Sequence, residues 1–139
     1  MVLGFVVIGA NGLAGGWGGV AWLRHSPSVV FWYLLRVAQA AVVLQAGIGL
    51  ALVLGGRTPP DALHLVYGIA PLVVALVTEA MRVGAAQREL EDAGDLEEAP
   101  RAEQVAVARR VVRRETGIMA VGALVILTLA LRAAFTAGG

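Results

Sequence analysis

The chain has no cysteine and no lysine. The first absence excludes disulfides, thiolate nucleophiles, iron–sulfur clusters and Cys-based zinc sites together. The second makes all 11 basic residues arginine; against 10 acidic residues they leave a net charge of +1. That is no basic field, so nucleic acid is not expected as a partner. Charge of either sign is scarce, at 15% of the residues, where an ordinary soluble domain carries about 25%. The hydrophobic fraction is 58% and the mean hydropathy +0.78. A soluble fold of 139 residues cannot bury that much apolar surface. The composition is that of a single transmembrane domain spanning 1–139, with the lipid bilayer as its first partner.

Crossing the hydrocarbon core takes about 20 mainly apolar residues in a helix. Four stretches qualify, at about 1–23, 29–54, 61–81 and 116–135. The expected fold is therefore all-α, an integral membrane four-helix bundle. "RHSPS" and "GGRTPP" are short connections with ordinary Pro and Gly punctuation. The third connection, 82–115, holds most of the charge. "RVGAAQRELEDAG" can continue helix 3 as far as Gly94. Pro100 is placed like a first-turn residue, with Asp95, Glu97 and Glu98 before it favouring a helix start. Helices 3 and 4 are thus expected to project from the membrane as an antiparallel hairpin.

Cytoplasmic loops carry the excess of arginine. The connections after helices 1 and 3 hold Arg24, Arg82, Arg88, Arg101, Arg109, Arg110, Arg113 and Arg114, whereas the opposite side has Arg57 and Arg132. The expected placement is an inner (plasma) membrane, multi-pass, with 82–115 in the cytoplasm and both termini outside. Trp22, Trp32 and Tyr33 then form an aromatic belt at the cytoplasmic interface. The first apolar run lacks a positive flank and outlasts a signal peptide's core, so it is expected to be retained.

The opening stretch "FVVIGANGLAGG" resembles the first strand and phosphate loop of nicotinamide-binding reductases. That fold requires an acidic residue about 20 positions on, within a βαβ unit. The first acidic residue here is Asp61, and another apolar span intervenes. A membrane helix explains the glycines better. Gly12 and Gly16, like Gly15 and Gly19, are four apart, a spacing that lets helices approach closely in lipid. This seam is expected to pack within the bundle or against a second copy, with Asn11 beside it hydrogen-bonding across helices.

Ionisable groups at membrane depth are costly and often functional. Counted from the connection between helices 2 and 3, Arg36 and Glu79 lie equally deep, about 28 Å at 1.5 Å per residue. They are expected to form a structural ion pair, with Arg82 one turn from Glu79 sharing its carboxylate. His64, Tyr67, Pro71, Ala75, Thr78 and Arg82 recur at three- and four-residue steps and make a polar stripe on helix 3. With Gln45 and Gln39 on helix 2 this stripe can line a pocket, and His64, Tyr67 and Gln45 are the candidate ligand-binding residues. Haem is the cofactor to weigh, since helical membrane bundles hold it between inward-facing histidines. The only histidines are His25 and His64, at opposite membrane faces, so one chain cannot supply both axial ligands. Quinone is an equal alternative for His64 and Tyr67. No catalytic group and no metal site is expected.

Three functions follow from these residues. The favoured one is a non-catalytic assembling or accessory subunit, partnered by itself or by a larger membrane complex. The alternatives are a haem- or quinone-binding redox bundle using His64 and a small transporter using Glu79.

Overall fold

The computed structural model describes residues 2–58 and 62–137, apart from the side chains of His64 and Ala137. These residues are all-helical, in four helices long and apolar enough to cross a membrane. They are α1 (Val2–Leu23), α2 (Val29–Leu54), α3 (Ala62–Ala93) and α4 (Arg101–Ala137). Met1 and Asp61, the expected first residues of helices 1 and 3, lie outside the described residues.

Local chemistry sets the ends of these helices. Ser28 starts α2, its Oγ accepting from the Phe31 amide at 3.2 Å and from Trp17 Nε1 at 2.9 Å. α1 stops where His25 takes a left-handed φ of 55°. There the Ser26 amide reaches back to Ala21 O and the His25 amide to Trp22 O, closing a Schellman turn. α2 ends in the same way around Gly56, and α3 at Gly94 with φ of 67°. α3 is unbroken through Pro71. Both α3 and α4 outrun their apolar spans as expected, forming a helical hairpin. Pro100 O accepts from the Glu103 and Gln104 amides, and Gln104 Nε2 ties the tip together through Leu96 O and Ala99 O.

α4 is the central helix, packed between α1 and α3. α2 lies mainly on α1 and meets α3 only over a short stretch. The contacts are made by small residues. Ala14, Ala38 and Ala123 form one layer between α1, α2 and α4. Phe31, Leu35, Met119 and Ala120 fill the layer toward the hairpin end, and Val7, Ala41, Val42, Ala75 and Ile126 the opposite one. Most of the outward surface of the spans is apolar, including Phe5, Leu13, Ile48, Leu76 and Val121. Water would not tolerate such a belt on so small a protein, whereas lipid does. The architecture is that of a multi-pass membrane protein.

The glycine seam divides into two. Gly15 and Gly12 face α4, against Leu124 and Leu127, and Gly18 lies hard against Phe31 and Ala120. Gly16 and Gly19 have nothing within 4 Å and point away from the bundle. The inward face of α1 is Val7, Asn11, Ala14, Gly15, Gly18 and Ala21, at steps of three and four with one adjacent pair. Asn11 corrects the expectation of a cross-helix bond. It is 2% exposed, and its Nδ2 donates to Val7 O in its own helix at 2.9 Å. The carbonyl one turn back takes the hydrogen that was expected to cross to a neighbouring helix.

Candidate functional site

Arg36 and Glu79 meet, and they do so inside a larger cluster. Glu79 Oε1 accepts from Arg36 Nη1 at 2.9 Å and from Gln39 Nε2 at 2.8 Å. Its Oε2 accepts from Arg82 Nε at 2.8 Å. Arg36 Nη1 also donates to Gln39 Oε1 at 2.7 Å, fixing which way that amide faces. Arg82 reaches on to α4, its Nη1 donating to Glu115 Oε1 at 3.0 Å. The same guanidinium lies 5.8 Å from the ring centre of Trp32, within cation–π range. Three helices are joined through one chain of donors and acceptors.

The local reasons are simple. Arg36 and Gln39 are three apart on α2, as are Glu79 and Arg82 on α3, so each pair shares a helix face. Two arginines face two glutamates, and the cluster is formally neutral. Burial is graded: the Glu115 side chain is 15% exposed, Arg82 22%, Glu79 27% and Arg36 57%. The Arg82 end therefore carries more of the binding free energy than the Arg36 end, because exposed ion pairs contribute little. Three donors fill three of the carboxylate's roughly four acceptor sites, two on Oε1 and one on Oε2.

A second charged cluster organises the hairpin. Glu89 is only 8% exposed, and it accepts from Arg114 Nε at 2.9 Å and Arg110 Nε at 3.3 Å. Of the four arginines 109, 110, 113 and 114, Arg110 and Arg114 bond to Glu89 on α3, whereas Arg109 and Arg113, together with Arg110, border a groove beside the turn between α1 and α2.

The structure describes the side chains of two of the three proposed ligand residues, Tyr67 and Gln45. Tyr67 Oη accepts from Arg132 Nε at 2.7 Å, an α3–α4 tie at the end opposite the hairpin. Gln45 Oε1 is buried with no hydrogen-bond partner among the described residues. The side chain of His64 lies outside the described residues. Of the stripe on α3, Pro71 and Ala75 are buried. Thr78 bonds to Val74 O and Ala75 O in its own helix, its methyl pressed against Gly122. Among the described residues no group of three His, Asp or Glu side chains is placed to hold a metal ion.

Sequence reasoning missed Glu115, Glu89 and the role of Gln39. Glu115 carried a signal, as an acid at the membrane boundary directly after two arginines. Gln39 carried one too, since it stands one turn from Arg36. Glu89 is one of several acids in its stretch and nothing local distinguishes it. Compared with known protein families, curated proteins and solved structures, the chain matches none.

Proposed function

We propose that this protein is a non-catalytic subunit of an inner (plasma) membrane, assembling with itself or with a larger membrane complex. Its hairpin lies in the cytoplasm and the outer ends of α1 and α4 outside. One observation carries the reading: Gly9, Gly16 and Gly19 on α1 have nothing within 4 Å, although the opposite face of that helix is already packed. A lipid-facing glycine gains nothing over leucine, whereas small residues allow a second helix to approach closely. The charge clusters agree with this role, because their groups are engaged in holding helices together. For the sidedness, the support is the arginine excess at the hairpin end.

The test is the mass of the assembly in a mild detergent, for the wild type and for Gly16→Leu/Gly19→Leu. Wild type should run as an oligomer or with a co-purifying partner, and the double variant as a single folded chain. Gly15→Leu is the contrasting control, expected to unfold the bundle because a side chain there overlaps Leu124. A wild type that is a single chain without partners overturns the reading.

A second reading, a ligand-holding bundle, draws on Gln45, whose buried oxygen calls for a donor. An absorption spectrum before and after reduction tests haem directly. A Soret band that shifts on reduction and is lost in His64→Ala would move this reading to first place.

A further inference from the structure

We infer that the groove between the α1–α2 turn and the base of α4 is a binding site for the phosphate headgroup of an anionic phospholipid. The groove has a volume of about 730 Å³ and is bordered by Trp22, His25, Val105, Arg109, Val112 and Arg113, among others. That volume is within the range of small-molecule sites, roughly 300–1,000 Å³. Its walls combine apolar side chains with Arg109, Arg110 and Arg113.

Depth selects the ligand. The indole of Trp22 lies over Gly117, so close that a methyl group there would overlap it. This sets the end of α1 level with the start of the apolar span of α4. Arg113 and Arg109 stand one and two turns further out, about 6 and 12 Å at the helical rise. The headgroup layer occupies roughly 5–8 Å on each side of the hydrocarbon. Arg113 therefore sits within that layer and Arg109 about one turn beyond it.

Charge selects it too. Arg110 and Arg114 share the single carboxylate of Glu89, and among the described residues Arg109 and Arg113 have no carboxylate partner. Being four apart, they extend from one helix face and can close on a single phosphate, which guanidinium groups bind through paired hydrogen bonds. His25 borders the groove from the other side. Its Nδ1 donates to Leu23 O at 3.0 Å, which fixes the ring at the edge of the groove. The acyl chains would descend past Trp22 into the bilayer. The inference requires only that the bundle spans a membrane, and it stands apart from the assembly proposed above.

The test is native mass spectrometry of the full chain in a zwitterionic detergent. Phosphatidylglycerol and phosphatidylcholine with identical chains are titrated in, with inorganic phosphate as competitor. Wild type should bind one phosphatidylglycerol about tenfold or more tightly than phosphatidylcholine, given two arginines at the surface of the membrane. Arg109→Gln/Arg113→Gln should lose most of that preference, while Arg88→Gln/Arg101→Gln, an equal change of charge elsewhere on the hairpin, should keep it. All four arginines are exposed, and a melting curve checks that each variant folds. Should the double variant melt early, Arg113→Gln alone replaces it and should lose part of the preference. The inference is overturned by equal loss in both pairs, by no headgroup preference, or by displacement of the lipid with millimolar inorganic phosphate. The last outcome would make the groove a site for a free anion.

Discussion

At the scale of the residue, the charge cluster ranks its members by how much each loses when a partner is removed. Glu79→Ala strands three donors at once: Arg36, Gln39 and Arg82. Leaving a buried donor unpaired costs about 1–3 kcal/mol, and the partial exposure here argues for the lower part of that range per group. The expected outcome is a clearly lower melting temperature in detergent. Glu79→Gln keeps a carbonyl acceptor but not the charge, so its loss should be intermediate. Arg82→Ala should cost more than Arg36→Ala, since Arg82 also holds Glu115 and lies over Trp32. Equal melting of Glu79→Ala and wild type would show that the cluster contributes nothing to stability.

The helical hairpin is the element whose stability depends most on charge. Within the bundle, α3 and α4 are held by close packing, with Thr78 against Gly122 and Ala75 in a layer with Ile126. Beyond the membrane, apolar contact thins to Ala85 and Val107, and Glu89 with its two arginines takes over. Glu89→Ala leaves both guanidinium groups without that partner and removes the buried polar anchor. The hairpin should then open locally while the membrane spans remain intact. Amide hydrogen exchange should show faster exchange in 84–93 and 101–112, with 116–130 unchanged. Exchange that rises everywhere would mean that the hairpin and the bundle unfold as one unit, and no change at all would make Glu89 dispensable.

For the whole molecule, the sidedness proposed from arginine has a direct test, because the chain lacks cysteine. A single Glu98→Cys or Thr58→Cys is the only thiol in its variant. In intact cells a membrane-impermeant maleimide should label Thr58→Cys and leave Glu98→Cys untouched until the cells are opened. The reverse pattern would invert the bundle without altering its fold. Much of this architecture was legible in the sequence, since span length, the Pro and Gly of the short connections, Gly94 and Pro100 act locally and mark helix ends wherever they occur. The pairing of Arg36 with Glu79 was legible as well. Both helices leave the same short connection, so counting residues fixes relative depth.

The sequence by itself determined how many helices there are, roughly where each begins and ends, and how far along its helix each charge lies. All of that follows from the rise of a helix and the thickness of a bilayer. It did not determine which way each helix faces. α1 and α2 are apolar nearly all round, so no stripe of hydrophobic residues picks one face for the core. Only the packed structure decided that Gly15 and Gly18 turn inward while Gly16 and Gly19 turn out. It alone brought Glu115 to Arg82, joined Arg110 and Arg114 to Glu89, and set Arg109 and Arg113 beside an open groove. Depth is a property of the chain, whereas rotation is settled by the shapes of the neighbouring helices.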